Sequence, residues 1–402
     1  MKVCEIKKDI YWVGAVDWNV RDFHGYSTYK GSTYNSFLIM DDKITLFDTV
    51  KREFKSDLLH HIKAIIDPSK IDYIVVNHVE MDHTGSLPEV MELVKPEKLI
   101  CSSMGKKALL QHFHREDWPY EVVGPGHTLN LGKRSVQFIE TRMLHWPDSM
   151  FSYVPEEKLL ISSDGFGQHW ATSERFDDEV DFSELMSHAA KYYANILLLF
   201  YPLVRKLLER VKELGIEIDM IAPDHGLIWR SHVKDILKAY GDWAHHKTRK
   251  KALVIYDTMW HSTETMAKAI ADGIEQEGVS VKLMNLKANH RSDIIAEALD
   301  AGALVFGSPT LNNGVLPRMA GLLSYMKGLK PRNKIGAAFG SYGWSGEAVK
   351  LMNKYMEEMK FDIIEPGIRV KYVPTHDHLK ECVDMGKRIG QAVNELGDLV
   401  IE

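Results

Sequence analysis

Four potential metal ligands occur within one segment of six residues: His78, Glu80, Asp82 and His83. The segment follows an apolar run that predicts a β-strand, and it precedes a helical pattern that begins near Ser86. Taken alone, such a cluster is also compatible with an ordinary polar loop. Imidazole and carboxylate groups are, however, among the ligands that transition metals use most in proteins. The segment is therefore a candidate metal site.

Three further segments place a histidine or an aspartate directly after a predicted strand. His145 follows the run 136–144, Asp164 follows 158–163, and His225 follows 218–223, apart from the single residue Asp224. Because strand ends in layered α/β folds tend to converge on one edge, we expect these side chains to lie near the first cluster. Four strand ends that carry possible ligands favour one shared site over four unrelated loops.

Together these seven residues provide four imidazoles and three carboxylates, and no thiolate. One tetrahedral zinc ion needs fewer ligands than this, whereas two metal ions of higher coordination number, bridged by one carboxylate, would use the whole set. Mixed nitrogen and oxygen ligation suits iron or manganese, and imidazole also tolerates zinc. The residues thus predict a two-metal centre and leave the identity of the metal open.

A second candidate site consists of three loops in the C-terminal part of the chain. The first loop is rich in hydroxyl residues and precedes a helical pattern, so backbone N–H groups and the helix dipole would favour a phosphate, although Thr263 could simply cap the helix. The other two loops offer backbone donors and flat or apolar side chains to a ring system, although the last could be an ordinary turn shaped by Gly343 and Gly346. The candidate cofactor-binding residues are Thr258, Met259, Trp260, His261, Ser262, Thr263, Ser308, Pro309, Thr310, Leu311, Asn312, Asn313, Ser341, Tyr342, Gly343, Trp344, Ser345 and Gly346.

Strand and helix patterns alternate regularly after residue 249. The predicted strands are 252–256, 279–284, 303–307, 335–340 and 368–372, and the predicted helices are 264–276, 293–299, 317–326, 346–359 and 379–395. Such alternation is typical of an open, doubly wound parallel sheet of the α/β class. Sheets of this kind bind ligands at the carboxyl ends of their strands, where the three loops lie.

The pattern before residue 249 is different, with many short strands that pair locally and are then interleaved with helices. The predicted strands are 10–13, 35–40, 44–48, 73–76, 135–140, 150–154 and 158–162, and the predicted helices are 55–65, 87–94, 105–113 and 203–214. This arrangement favours two sheets flanked by helices. The stretch 243–251 is polar and basic and is followed by the apolar run 252–256. This change predicts a linker that leads into the first buried strand of a new domain. We therefore expect two domains, residues 1–248 and 249–402.

Bulk composition excludes several classes of function. The chain has 402 residues and a net charge of −6, which gives no reason to expect a nucleic-acid partner. Its most apolar run, 196–204, is far shorter than a membrane-spanning helix, and the N-terminus lacks the apolar core of a signal peptide. Cys4, Cys101 and Cys382 form no CxxC pair, so neither disulfides nor a cysteine-bound metal is expected. These features favour a reducing cytoplasm.

The 19 histidines are unusually many for a chain of this length. Those outside the candidate metal site fall mostly in polar stretches, where an imidazole is ordinarily solvated. The histidines predicted to be solvated are His112, His114, His169, His188, His245, His246, His376 and His378.

The metal-site residues resemble those of the flavodiiron proteins. The motif His-x-Glu-x-Asp-His at 78–83, followed by His145, Asp164 and His225, is similar to the metallo-β-lactamase-like core of that family, whose hydrolytic relatives usually have a histidine where this chain has Glu80. The resemblance implies an N-terminal αββα sandwich and a pair of iron ions. It implies one iron held by His78, Glu80 and His145, a second held by Asp82, His83 and His225, and Asp164 as the bridge.

The three C-terminal loops resemble the FMN-binding loops of the flavodoxin-like half of the same family. The first departs from the usual pattern, because Met259 and Trp260 replace a hydroxyl pair and His261 stands where glycine is common. In the family, a histidine and a tyrosine line the pocket of the distal iron, which makes His24 and Tyr192 candidate catalytic residues here. The alternative is that His24 is a satisfied loop residue and that Tyr192 and its neighbour Tyr193 both belong to the core; Trp146 is expected to serve packing.

The resemblance covers the whole chain and implies a terminal reductase. FMN would deliver electrons to the iron pair, which would reduce dioxygen to water, nitric oxide to nitrous oxide, or both. It also implies a head-to-tail homodimer, or a dimer of such dimers, and a separate rubredoxin-type electron donor, since no cysteine pair for a fused rubredoxin domain is present. Two rival functions are a zinc-dependent hydrolase with an accessory flavin domain and a flavin-binding electron carrier with a structural metal.

Overall fold

The computed structural model describes residues 3–396. It contains two compact units: the first comprises 3–24, Thr28–Tyr193 and Pro202–Tyr240, and the second comprises Gly25–Ser27, Ala194–Tyr201 and 241–396. No helix within the described range is long and apolar enough to cross a bilayer. The domain boundary near residue 249 stays a prediction.

Short strands dominate the N-terminal part of the chain. They are β1 (Cys4–Lys7), β2 (Ile10–Trp12), β3 (Ala15–Asp17), β4 (Asp22–Phe23), β5 (Tyr26–Ser27), β6 (Ser32–Tyr34), β7 (Phe37–Ile39), β8 (Thr45–Phe47), β9 (Tyr73–Val76), β10 (Lys98–Ser102), β11 (Tyr120–Val123), β12 (Thr128–Asn130), β13 (Ser135–Glu140), β14 (Met150–Val154), β15 (Leu159–Ile161) and β16 (Met220–Ala222). The helices are α1 (Lys55–Lys63), α2 (Met81–Thr84), α3 (Leu87–Val94), α4 (Ser103–Phe113), α5 (Phe182–Tyr192), α6 (Tyr201–Glu213) and α7 (Val233–Ala244). Single turns of 3-10 or π-helix at Arg52–Phe54, Pro68–Lys70, Pro155–Glu157, Asp177–Glu179, Tyr193–Leu197 and Leu198–Phe200 connect them.

Two large sheets make up most of the first unit, which also contains the two-stranded ribbon β3-β6. One has seven strands in the order β1-β2-β7-β8-β9-β10-β11, and the other has five in the order β12-β13-β14-β15-β16. Successive residues of a strand point to opposite faces of its sheet, so the contacts of neighbouring residues in β9 show how the two sheets pack. Val75 belongs to an apolar core shared by both sheets, whereas Ile74 and Val76 belong to a second core that contains Leu58 and Val90 from flanking helices. The predicted sandwich of two sheets with outer helices is confirmed.

The second unit has a different architecture, a parallel sheet with the strand order β18-β17-β19-β20-β21. Its strands are β17 (Arg249–Tyr256), β18 (Ser280–Asn285), β19 (Ala301–Gly307), β20 (Ile335–Tyr342), β21 (Asp362–Ile363) and β22 (Ile368–Lys371). Its helices are α8 (Ser262–Gln276), α9 (Arg291–Ala298), α10 (Pro317–Leu329), α11 (Ala348–Glu358) and α12 (His376–Glu395). Both β21 and β22 pair with β20, so an interrupted fifth strand completes the order 2-1-3-4-5 of flavodoxin-like sheets.

Candidate metal centre and flavin cleft

The first metal-ligating group of the N-terminal unit contains His78, Glu80, His145 and Asp164, whose ligand atoms all lie within 4.8 Å of one another. Nε2 of His145 is 3.2 Å from Oε2 of Glu80 and 2.9 Å from Oδ2 of Asp164. Nε2 of His78 is 3.3 Å from Oε2 of Glu80 and 3.4 Å from Oδ2 of Asp164. Two imidazole nitrogens and two carboxylates therefore face one point.

The second group contains Asp82, His83 and His225. Nε2 of His83 lies 3.4 Å from Oδ1 of Asp82, and Nε2 of His225 lies 3.2 Å from Oδ2 of the same carboxylate. Asp164 reaches this group with its other oxygen, because Oδ1 is 3.3 Å from Nε2 of both His83 and His225. One carboxylate thus faces both groups, one oxygen to each, which is the geometry of a bridging ligand.

Strand ends and short helices position these side chains. The loop after β9 carries His78 and Glu80, and the short helix α2 carries Asp82 and His83. The loops after β13, β15 and β16 carry the other three, which agrees with the expected convergence of strand ends. Because β15 and β16 run parallel, Asp164 and His225 leave the second sheet at the same edge.

Several ligand atoms of this centre are buried without a hydrogen-bond partner among the described residues. They are both carboxylate oxygens of Asp82, Oδ1 of Asp164 and Nε2 of His83. Buried polar atoms are nearly always hydrogen-bonded, so a set of orphaned oxygens and nitrogens around one point is what a metal-binding site requires. The seven residues therefore fit two metal ions with nitrogen and oxygen ligands.

In His78 and His225, the ring nitrogen on the far side from the metal position contacts the protein. Nδ1 of His78 lies 3.0 Å from Oδ2 of Asp148, which also accepts a hydrogen bond from the backbone N–H of Val79 at 2.7 Å. Nδ1 of His225 lies 2.7 Å from the carbonyl oxygen of Thr33. Such contacts fix the ring orientation and direct Nε2 toward the metal position.

Charge complementarity holds the centre together. Burial would lower the pKa of His83, but neighbouring carboxylates, chiefly Asp82 and Asp164, raise it to about 9. Burial would raise the pKa of Asp164, but the surrounding imidazoles, chiefly His83 and His145, hold it well below its usual range. The carboxylates are thus anionic as ligands must be, and a bound metal would displace the protons of the imidazoles.

A cleft of about 980 Å³ opens onto the first group. His24 lines it with Nε2 at 3.4 Å from Oε1 of Glu80, and its side chain is 77% exposed. Trp146 also lines the cleft and packs edge-on against His78 at a ring distance of 5.2 Å, which accords with the expected packing role. Tyr192 is fully buried, with its ring 6.0 Å from that of His225, and burial and the charge of Asp164 raise its pKa.

Two of the histidines expected to be solvated are buried instead. His169 is 2% exposed, its Nδ1 lies 2.7 Å from Oγ of Ser32, and its ring is 4.9 Å from that of His225. His246 is 1% exposed and packs edge-on against Tyr201. Both predictions were wrong because burial depends on residues that are distant in the sequence and pack against the imidazole. The polarity of the adjacent residues in the sequence carries no information about them. For His169, its position close after Asp164 was the one available signal.

The second unit contains a cleft of about 430 Å³ at the carboxyl ends of its strands. Its lining includes nine of the predicted cofactor-binding residues and also Tyr372 and Val373, which the sequence had not indicated. Lining residues from the three loops are Met259, Trp260, Ser262, Pro309, Thr310, Ser341, Tyr342, Gly343 and Trp344. The side chains of Trp260 and Trp344 are 88% and 87% exposed, so two free aromatic faces stand at the cleft. A flat apolar ring would cover such faces.

The remaining predicted cofactor-binding residues lie in the same loops but outside the lining of this cleft. They are Thr258, His261, Thr263, Ser308, Leu311, Asn312, Asn313, Ser345 and Gly346. The hydroxyl of Ser308 is used by its own loop, where it accepts the N–H of Leu316 at 3.0 Å. Oγ1 of Thr258, in contrast, is buried and has no partner among the described residues, as a hydroxyl reserved for a ligand would be.

The backbone explains one departure from the usual phosphate loop. His261 precedes α8 with φ +70°, in the left-handed region that glycine adopts most easily. Its Nδ1 lies 2.7 Å from Oε2 of Glu264 in the first turn of the helix, and this contact supports the left-handed residue. The loop therefore keeps the conformation of the usual glycine with a histidine in its place.

Comparisons with known proteins agree with both sites. Residues 33–226 match the family described as ODP family beta lactamase, and residues 254–386 match Flavodoxin. The chain is 49% identical over 391 residues to a nitric oxide reductase of Moorella thermoacetica, which covers 96% of this chain and 98% of that protein.

Solved structures give the same result. Rubredoxin oxygen:oxidoreductase from Desulfovibrio gigas matches with a TM-score of 0.97 and 48% identity over 98% of this chain and 99% of that one. The flavodiiron protein from Giardia intestinalis matches with a TM-score of 0.96 and 37% identity over 98% of each chain. The fold and the two sites define a metallo-β-lactamase-like unit and a flavodoxin unit on one chain. The chain belongs to the flavodiiron protein family, as the motif at 78–83 predicted.

Proposed function

We propose that this flavodiiron protein is a terminal reductase that reduces dioxygen to water, nitric oxide to nitrous oxide, or both. When bound, FMN and the iron pair supply electrons and open coordination positions to the gas. The observation that carries the proposal is Asp164, whose two oxygens face two separate ligand groups on a chain that also has a flavin cleft. A zinc hydrolase is not favoured, because Glu80 replaces a histidine and a flavodoxin domain is present.

We assign the seven clustered residues as iron ligands. One iron would be held by His78, Glu80 and His145, the other by Asp82, His83 and His225, and Asp164 would bridge them. The carboxylates bring negative charge that favours higher oxidation states of iron, and Glu80 adds one more such charge than a histidine would. The FMN would lie in the cleft that Trp260 and Trp344 flank, with its phosphate at the start of α8.

His24 and Tyr192 are assigned as the residues that act on the bound gas. The imidazole of His24 stands at the mouth of the cleft beside Glu80, where it can donate a hydrogen bond or a proton. The raised pKa of Tyr192 keeps its hydroxyl protonated, so it can donate a hydrogen bond to a neighbouring oxygen atom. Both groups are of the type needed where oxygen atoms gain electrons and protons.

We further propose the partners of the reaction. A relative is named for rubredoxin and oxygen, which favours a rubredoxin-type electron donor for this chain. A head-to-tail homodimer, or a pair of such dimers, would bring the flavin of one subunit to the metal centre of another. The three cysteines are free, which accords with a reducing cytoplasm.

The test is the composition and turnover of the purified full-length protein. We expect two irons and one FMN per chain. We also expect the protein to consume added dioxygen, added nitric oxide or both when reduced rubredoxin supplies the electrons in an otherwise anaerobic assay. Two zinc ions without iron would overturn the assignment of a reductase. Iron and FMN without consumption of either gas would leave the cofactor assignment standing and refute the proposed reaction.

A further inference from the structure

Lys287 contacts the loop that is proposed to hold the FMN phosphate. Its Nζ donates a hydrogen bond to the carbonyl oxygen of Thr258 at 2.7 Å. Lys287 comes from another part of the sheet, two residues after the end of β18. No residue of β18 or of its loop was among the cofactor-binding residues predicted from the sequence.

The backbone of Lys287 is held in place at the end of the strand. Its N–H donates to Oδ1 of Asn285 at 2.9 Å, and the N–H of Leu286 donates to the carbonyl oxygen of Tyr256 in β17 at 2.9 Å. Asn289 adds a side-chain bond to the carbonyl oxygen of Asn285, also at 2.9 Å. These bonds fix the backbone of Lys287, and its otherwise exposed side chain extends from there to place Nζ on the carbonyl oxygen of Thr258.

The bond to Thr258 has a consequence for the direction of the next N–H group. The carbonyl of one residue and the N–H of the following residue belong to the same planar peptide unit and point in opposite directions. With the carbonyl of Thr258 held toward Lys287, the N–H of Met259 is turned to the opposite side of the loop. Met259 lines the flavin cleft, so an N–H held in this direction would serve as a donor to a phosphate bound in the loop.

The charge of Lys287 also offsets an unfavourable neighbour. Asp257 is 1% exposed, and its Oδ1 accepts the N–H of Thr258 at 2.8 Å. A buried carboxylate so close to the loop disfavours a dianionic phosphate, since like charges repel. The ammonium of Lys287 brings a positive charge next to the carbonyl oxygen of Thr258, the residue whose N–H donates to Asp257.

We propose that Lys287 is the positioning residue of the FMN phosphate loop, acting through the carbonyl of Thr258 and through its charge. The inference rests on the proposed flavin site. Lys287 would then discriminate FMN from riboflavin, which has the same ring and no phosphate. It adds a lysine to a predicted set of cofactor-binding residues that contains no lysine or arginine.

The experiment measures binding of FMN and of riboflavin to the full-length protein after removal of its flavin, by quenching of flavin fluorescence. In Lys287→Met we expect FMN affinity to fall about tenfold, the effect of losing one charge-assisted hydrogen bond, and riboflavin affinity to stay unchanged. Lys287→Arg should retain most of the affinity for FMN. The dependence of FMN binding on salt should also weaken in Lys287→Met, because one cation is lost.

Lys282→Met is the matched control, since Lys282 lies in the same strand, β18, and pairs with Glu297 at 2.7 Å. The control should bind both flavins as the parent protein does. Unchanged FMN affinity in Lys287→Met would overturn the inference, and so would an equal loss of FMN and riboflavin, which indicates general damage to the cleft. A parent protein that binds neither flavin would refute the flavin site itself, which separates the two failures.

Discussion

Asp148 lies directly behind His78, with Oδ2 at 3.0 Å from Nδ1 of the imidazole. The same carboxylate oxygen accepts the N–H of Val79 at 2.7 Å, and the carbonyl oxygen of Asp148 accepts the hydroxyl of Ser102 at 2.7 Å. Asp148 is therefore held by two hydrogen bonds and in turn anchors the ring of His78. A carboxylate in this position fixes the tautomer of a ligating histidine and strengthens it as a ligand.

Asp148→Asn should weaken metal binding at the first group. The amide keeps the size of the side chain but loses the charge that aligns His78, so we expect a loss of about 10-fold to 100-fold in affinity for one of the two irons. Metal analysis after dialysis against graded chelator measures this. Asp117→Asn, which removes an exposed carboxylate paired with Arg115, is the control. Equal iron retention in the two variants would contradict the role given to Asp148.

His83→Ala and Asp164→Asn should differ in the number of irons they lose. His83 belongs to the second group alone, so its removal should empty that position, abolish turnover and leave FMN in place. Asp164 faces both groups, so its loss should weaken both metals. Iron and flavin contents per chain report the difference. Full activity in His83→Ala would refute the assignment of the second group, and loss of a single iron in Asp164→Asn would refute the bridge.

Thr258→Val should weaken FMN binding without destabilising the protein. Oγ1 of Thr258 is buried and has no partner among the described residues, so replacing it with a methyl group should leave the free energy of unfolding of the flavin-free protein unchanged or slightly higher. FMN should bind several-fold more weakly, since a hydroxyl donor to the phosphate is lost. Titration with FMN and urea denaturation together test this. Thr265→Val is the control, because its hydroxyl already bonds to the carbonyl of His261 at 3.0 Å.

Lys334 should give the second unit a pH-dependent stability. Its ammonium is buried against the carbonyls of Leu299 and Ala301, and burial lowers its pKa from the usual 10.5 to about 7. Between these values the unfolded chain binds a proton that the folded chain does not, so the free energy of unfolding rises with pH. Over pH 7 to 9 we expect a rise of about 2 kcal/mol from this group.

Lys334→Met removes the titrating group and should flatten that part of the pH profile. Urea denaturation of the parent and the variant at several values from pH 6 to pH 10 measures the difference in slope. Changes common to both proteins cancel in the comparison, so other titrating groups do not interfere. Parallel profiles for the two proteins would show that Lys334 has an ordinary pKa.

Local patterns accounted for much of the fold. The strands Tyr73–Val76, Ser135–Glu140 and Met150–Val154 occur at the predicted residues, because their apolar side chains are buried on one or both faces. Edge strands such as Cys4–Lys7 and Tyr120–Val123 were not predicted. Their half-exposed residues carry a weak pattern, and only pairing with a neighbouring strand makes them part of the sheet.

The sequence by itself determined which ligand types are present and at which strand ends they lie, because motif spacing and apolar runs are local properties of the chain. Only the tertiary structure decided that one oxygen of Asp164 faces each metal group, that Asp148 backs His78, and that Lys287 meets Thr258. Each of these contacts joins residues far apart in the chain, and local propensity carries no information on such pairs. Their distances follow from how strands align within a sheet and how two sheets pack.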